Sequence, residues 1–235
     1  MMERVLNWDA IRLVVFDVDG TLYDQRALRR RMLVDLIGHT LAARSLATVR
    51  VLRLYRALRE AFSEEEFDGF GDALLERTAQ AVRVDKALVQ AITDEWLQRR
   101  PLAYLHGCRY PNIAELFLAL REGGKRIGVF SDYPARGKLE VMGLKADFVV
   151  CATDIDIGIL KPNPRGLKAI IEAAGVTQQE TLMIGDRVER DGEAARRAGV
   201  TALIRSPRPI AGWSCFADYG APLFRPLFEK KPPAT

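Results

Sequence analysis

A chain of 235 residues accommodates one large domain or two small ones, and 49% hydrophobic with 28% charged residues is an ordinary globular balance. Its apolar stretches, such as Leu13 to Phe16 and Ile127 to Phe130, fall far short of the ~20 residues of a membrane span, and Met1 to Asp9 carries Glu3, Arg4, Asn7 and Asp9 where an export signal would be apolar. A cytoplasmic protein without membrane association is expected; its formal charge of +4 suits anionic substrates, but arginines spread along helices do not by themselves argue for nucleic acid.

Taken in chain order, Ile11 to Phe16 reads as a fully buried strand, because β-branched and aromatic residues run without polar interruption until Asp17. Asp24 then reads as a hinge or helix start. From there to about Arg100 apolar residues recur at helical spacing: Leu46, Val49, Leu52, Tyr55, Leu58 and Phe62, then Leu74, Thr78, Ala81 and Val82, then Leu88, Ile92 and Trp96. Breaks are expected near Phe67 to Gly71 and at Val84 and Asp85. After Pro101 the rhythm changes. Helices are predicted over Pro111 to Glu122, Pro134 to Met142, Pro164 to Ala174 and Asp191 to Ala198; strands over Arg126 to Phe130, Asp147 to Ala152, Thr181 to Ile184 and Thr201 to Ile204. Such alternation implies an α/β fold: a Rossmann-like parallel sheet with helices on both faces. The helical block interrupts it after the first strand, so residues 24–105 are assigned to an inserted all-helical cap, and residues 1–23 and 106–235 to the core. The tail from Pro207 is rich in proline and aromatics without periodicity, and either packs on the core or trails away. Cys108, Cys151 and Cys215 are widely spaced, with only His39 and His106 to help them, and read as reduced thiols.

Ligands of open parallel sheets sit outside the carboxyl ends of the strands. Asp17, Asp19, Ser131, Asp132, Asp186 and Asp191 all fall at such ends, and Lys161 stands in a turn before a helix. Each aspartate alone is as well explained as a helix cap or turn residue. Together they would repel one another unless a cation of high charge is present, and oxygen ligands without cysteine or histidine suit Mg²⁺. A metal, a lysine and a hydroxyl in one place fit phosphoryl transfer.

The segments DVDGT (Asp17 to Thr21), SDYP (Ser131 to Pro134), KPNP (Lys161 to Pro164) and GDRVERD (Gly185 to Asp191) resemble, in order, the four motifs of the haloacid dehalogenase superfamily of phosphohydrolases, in its phosphoglycolate phosphatase-like branch. The resemblance implies a Mg²⁺-dependent phosphatase acting on a small phosphorylated metabolite through an aspartyl-phosphate. It makes Asp17 the nucleophile, Asp19 the general acid and base, and Lys161 a second positive charge. Asp17, Asp186 and the main chain of Asp19 hold the metal, while Asp191 either binds it through water or fixes Lys161. To act as an acid, Asp19 needs a raised pKa. Ser131 binds a phosphoryl oxygen, Gly20 permits a sharp turn, and Thr21 orients Asp19. Asp132 departs from the asparagine often found in the family; it adds negative charge near the phosphate and is kept as a site residue without a role.

Asp19 argues against the dehalogenase branch, whose ester needs no protonated alkoxide, and a phosphonate hydrolase would usually carry alanine there. A phosphotransferase or sugar phosphomutase would use the same aspartates, and a non-catalytic regulatory protein could share the fold. A basic nucleic-acid module built on Arg29 to Met32 and on VRVLRLYRALRE (Val49 to Glu60) lacks an aromatic-flanked motif, and arginines at helical spacing usually form a solvated face. One of Arg29, Arg30 and Arg31 could nonetheless be directed at an anionic substrate. The chain could be a monomer or, through exposed cap leucines, a homodimer.

Overall fold

The computed structural model describes residues 6–229. Residues 1–5, part of the stretch read as lacking an export signal, and 230–235, at the end of the expected core, lie outside the described residues.

Six parallel strands form one sheet in the order β3-β2-β1-β4-β5-β6. They are β1 (Leu13–Phe16), β2 (Arg126–Ser131), β3 (Phe148–Cys151), β4 (Thr181–Gly185), β5 (Thr201–Arg205) and β6 (Ser214–Phe216). β1 lies at the centre between β2 and β4 because every one of its four residues is apolar and can be buried on either face. Val14 and Phe16 face one hydrophobic cluster, and Leu13 and Val15 the other. Helix α6 (Ile113–Glu122) and helix α7 (Arg136–Met142) supply Leu116, Phe117, Leu120, Leu139 and Met142 to the first. Helix α8 (Arg165–Ala174) and helix α9 (Glu193–Ala198) supply Leu167, Ile170, Ala195 and Ala198 to the second. Each such side chain stabilises the fold by roughly 1.5–3 kcal/mol when a Val, Leu, Ile, Phe or Met is fully buried.

Between β1 and α6 the chain forms a block of helices joined by short loops: α1 (Gln25–Ala43), α2 (Ala47–Glu64), α3 (Phe70–Val82), α4 (Lys86–Thr93) and α5 (Arg100–Leu105), with a wider helical turn over Asp94–Arg99. Asp24 starts this block. Its carboxylate accepts the amides of Arg26 and Ala27 at 2.8 and 3.0 Å, satisfying two of the free N–H groups of α1. The expected breaks fall between α2 and α3 and after Arg83, which is left-handed with φ 60°. A further break at Arg44 to Leu46, separating α1 from α2, carries no glycine or proline and left no mark in the sequence pattern.

The end of α2 rests on the sheet. Phe62 packs with Phe70, Leu74, Ala152 and Leu160, and three polar ties reach the strand-end loops: Glu66 to Asn163 at 3.0 Å, Asp68 to Arg165 at 2.9 Å, and Glu60 to Arg187 at 3.3 Å. These contacts close a cleft between the helical block and the carboxyl ends of the strands.

The tail packs on the core. β6 extends the sheet beside β5, Tyr219 and Phe224 are fully buried, and the Trp8 indole donates to the Leu223 carbonyl at 2.7 Å. A three-residue strand is too short to show alternation, which is why this segment had no readable period. Helix α10 (Arg225–Glu229) ends the described chain. Cys108 and Cys151 are buried and Cys215 half-buried, all as free thiols. Among the described residues no helix is long and apolar enough to cross a membrane.

Candidate active site

Four strand-end segments converge on one point. Asp17 follows β1, held by its amide donating to the Ile184 carbonyl at 2.8 Å. Asp186 follows β4, and Asp191 lies in the helical turn Val188–Gly192 that leads into α9. Lys161 precedes α8 and is buried among them. Its ammonium donates to Asp17 Oδ1, to Asp191 Oδ1 at 2.6 Å and to the Phe130 carbonyl at 3.3 Å. Asp191 does more than hold the lysine: its Oδ2 accepts the amides of Asp186 and Arg187 at 3.1 and 3.0 Å, which fixes the loop after β4.

One oxygen from each of Asp17, Asp186 and Asp191 lies within 4.8 Å of the others. Three carboxylates thus face one ammonium in a buried pocket. Burial pushes the Asp17 carboxyl well above the usual range; Lys161 pulls it down, but Asp191, Asp186 and Asp19 push it up again. Asp186 is pushed up to about 7 by burial and by Asp191, with Lys161 and Arg187 opposing. Lys161 is driven the other way: burial lowers its pKa, and the surrounding carboxylates, Asp17 first, raise it well above normal. Among the described residues Asp17 Oδ2 and Asp186 Oδ1 are buried without a hydrogen-bond partner. Buried oxygens left bare in an excess of negative charge are the donor set that a hard divalent cation satisfies.

The glycines make this approach possible. Gly20 has φ +99°, and a Cβ there would lie 2.2 Å from Asp186 Oδ2; a Cβ on Gly185 would lie 2.2 Å from the Asp191 Cβ. Only glycine lets the loop after β1 turn this way beside Asp186.

Asp19 lines the cleft and is held by two donors that the sequence did not single out. The Lys138 ammonium lies 2.5 Å from its Oδ1, and the Tyr23 hydroxyl donates to the same oxygen. The raised pKa expected for Asp19 is therefore not found. Burial pushes it up, but the Lys138 charge, its hydrogen bond and that of Tyr23 outweigh burial and leave it below its ordinary value.

Thr21 is fully buried and its hydroxyl has no partner among the described residues, so it does not orient Asp19; its carbonyl instead accepts the Tyr219 hydroxyl at 2.8 Å. Ser131 is also fully buried, and its hydroxyl accepts the Tyr133 amide at 3.2 Å, the local role of a turn residue. Asp132 is turned onto the lysine loop: Oδ1 accepts the Lys161 amide at 3.0 Å, and its carbonyl accepts the Arg59 guanidinium. Its carboxylate is thus hydrogen-bonded to the main chain of the lysine loop.

The cleft encloses about 790 Å³, within the range of small-molecule sites. Its floor holds Asp17, Asp19, Lys161, Asp186 and Asp191, and α1 and α2 add Arg29, Arg56 and Arg59. The reading of the α2 arginines as a solvated face holds for Arg50 and Arg53, which are exposed outside the cleft; Arg56 is exposed as well but lines the cleft mouth, and Arg59 is buried in it. The i,i+3 spacing runs through all four arginines and so carried no signal of which of them line the cleft.

A family model described as haloacid dehalogenase-like hydrolase matches residues 11–199. The chain is 32% identical to a glyceraldehyde 3-phosphate phosphatase from Methanopyrus kandleri, covering 83% of this chain and 84% of that protein. It is 30% identical to a phosphoglycolate phosphatase from Rhodospirillum rubrum, covering 88% and 86%. Among solved structures, a HAD phosphatase from Thermococcus onnurineus superposes with a TM-score of 0.60 at 22% identity, over 94% of this chain and 100% of that one. With its four motif segments gathered at the strand ends, the chain belongs to the haloacid dehalogenase-like hydrolases.

Proposed function

We propose that this hydrolase is a Mg²⁺-dependent phosphatase that cleaves a small phosphate monoester through an aspartyl-phosphate, with residues 24–105 acting as a cap over a core of residues 1–23 and 106–235. The observation that carries the reading is the Asp17–Lys161–Asp191 cluster with bare oxygens on Asp17 and Asp186, at the floor of the cleft. Asp17, Asp186 and the Asp19 main chain would hold Mg²⁺, which supplies positive charge against the phosphoryl oxygens. The names of the relatives support small phosphorylated metabolites as the substrate class.

Asp17 attacks phosphorus, the bond to the leaving oxygen breaks, and Asp19 gives that oxygen a proton. Asp19 is ionised before substrate enters; a phosphate dianion arriving beside it raises its proton affinity, and the proton it hands to the leaving oxygen is taken up from solvent as the ester binds. In the second step Asp19 takes a proton from water, the water oxygen bonds to phosphorus, and Asp17 is released as a carboxylate with free phosphate. Lys161 keeps Asp17 aligned and offsets its repulsion with phosphate, which at ~4 Å is about 4 kcal/mol per pair of unit charges at an effective dielectric of 20. Asp132 and Asp191 fix the lysine from its amide and its ammonium.

The test is phosphate release from a panel of metabolite esters, with Mg²⁺ and with chelator, beside Asp17→Asn. Release should require both the metal and the aspartate. Transfer of phosphate to a sugar in preference to water would replace hydrolysis with the phosphotransferase reading.

A further inference from the structure

Lys161 lies in a turn, outside every helix and strand, so no regular ladder of hydrogen bonds supports its peptide groups. Buried backbone of this kind has to be met by side chains, and here α2 stands behind most of them. The Lys161 carbonyl accepts the Ser63 hydroxyl and, at 2.7 Å, the Arg190 guanidinium, whose other terminal nitrogen is held by Glu60. The Lys161 amide donates to Asp132 Oδ1 at 3.0 Å, and the Asp132 carbonyl in turn accepts Arg59. Arg59 and Ser63, one turn apart, share a face of α2, with Glu60 at its border. That face reaches both ends of the lysine's backbone, directly or through one residue.

Ser63 is the unusual member of this set. A serine inside a helix ordinarily turns its hydroxyl out to solvent or back onto a carbonyl of the preceding turn; this one is fully buried and donates across to another element. It is not among the described residues that line the cleft, so an ester bound there does not meet it. Its influence on the reaction passes through the residue it holds, whose ammonium sits between Asp17 and Asp191. A catalytic group displaced by about 1 Å costs on the order of 10²-fold in rate. Without the serine hydroxyl Arg190 still holds the carbonyl, so the displacement and its cost are smaller.

We infer that Ser63 is a positioning residue for Lys161: together with Arg190 it holds the lysine by its carbonyl, so that the ammonium is aligned on Asp17 only while the end of α2 is seated on the strand-end loops. The helical block thereby acts on the chemistry through the backbone of a core residue, whatever its cleft-lining side chains select. This rests on the phosphatase reading for the work of Lys161, and on the hydrogen bonds of the lysine loop for the work of Ser63.

The experiment is a double-mutant cycle of Ser63→Ala with Lys161→Met, with Thr78→Ala as control. The Thr78 hydroxyl, fully buried in α3, donates to the Leu74 carbonyl at 2.7 Å, so its loss weakens the helical block without reaching the lysine. Ser63→Ala should lower kcat/KM about 3- to 10-fold, the range for one hydrogen bond, and by the same factor on 2-phosphoglycolate and on nitrophenyl phosphate. In the Lys161→Met background it should change the rate by less than about twofold. Additive losses would overturn the inference, since Ser63 would then serve only the fold; so would a loss confined to one ester, which would make it a specificity residue. A second arm needs no turnover: the ammonium signal of Lys161 in heteronuclear NMR of the Mg²⁺-loaded protein, assigned by its absence from Lys161→Met. It should shift or broaden in Ser63→Ala and stay in place in Thr78→Ala. An unmoved signal in Ser63→Ala overturns the inference even where Lys161→Met is too slow to close the cycle. Wild type that releases no phosphate, with the signal moving as expected, would sink the phosphatase reading and keep Ser63 as the lysine's support, whereas turnover with additive losses and an unmoved signal would do the reverse.

Discussion

Replacing Lys161 by methionine isolates the electrostatics of the site. The side chain is 2% exposed and its ammonium lies 2.6 Å from Asp191 Oδ1, with Asp17 on its other side. At that distance and an effective dielectric of 20, one contact carries about 6 kcal/mol of Coulomb attraction. The freed carboxylates can take up protons, so the net loss is smaller, about 3–5 kcal/mol for a broken buried pair. In a chain of this size each kcal/mol moves the melting temperature by roughly 2–4 °C, so Lys161→Met should melt ~6–20 °C below wild type in chelator. Differential scanning calorimetry with matched buffers reads this directly. A second arm adds Mg²⁺ at about 100 times its Kd, which stabilises wild type by ~2.7 kcal/mol. A variant melting within 2–3 °C of wild type in chelator would refute the reasoning, because three clustered carboxylates would then have no need of the lysine.

Gly20→Ala should abolish metal binding and turnover while leaving far-UV circular dichroism intact, since the new Cβ would sit 2.2 Å from Asp186 Oδ2 at a φ of +99°; titration calorimetry with Mg²⁺ checks it. Lys138→Met should cost about 10²-fold in kcat/KM on alkyl phosphates, where the leaving oxygen needs a proton from a well-aligned Asp19, and much less on nitrophenyl phosphate, whose leaving group does not. Equal losses would mean that Lys138 binds the substrate itself. Glu60→Gln probes the tie between α2 and the loop after β4. Burial pushes the Glu60 carboxyl up, but Arg187 and Arg190 hold it below its ordinary value, so the carboxylate adds stability above the unfolded pKa of ~4.3 and loses it as pH falls through the folded value. With its side chain 54% exposed the contribution is under about 1 kcal/mol at pH 7; wild type and variant should differ in urea midpoint at pH 7 and converge toward pH 3.

The centre of the sheet was legible because β1, β2 and β4 carry apolar runs that end at Asp, Ser or Gly, and DVDGT marks a strand that must stop at a glycine turn. The gathering of Asp17, Lys161, Asp186 and Asp191 followed from one rule, that ligands meet at the carboxyl ends of parallel strands. What escaped depended on tertiary direction. Nothing in SDYPARGK says that Lys138 reaches back to a carboxylate 119 positions earlier in the chain. The two outward and two inward arginines of α2 are chemically identical, and only the packing of Phe62 on Ala152 and Leu160 decides which pair faces the cleft. The hydroxyls of Ser131 and Thr21 were read from their positions in the motifs, yet both are buried: that of Ser131 accepts a backbone amide, and that of Thr21 meets no partner among the described residues. The loop at Arg44 to Leu46 and the short strand β6 left no compositional trace at all.

The measurement closest to the central claim is mass spectrometry of acid-quenched enzyme during turnover of a slowly hydrolysed ester with Mg²⁺. A phosphoryl group should be found on the peptide that holds Asp17 and be absent from it in Asp17→Asn, which should release no phosphate. Phosphate release by Asp17→Asn at the wild-type rate, with no phosphorylated peptide in either protein, would contradict the account.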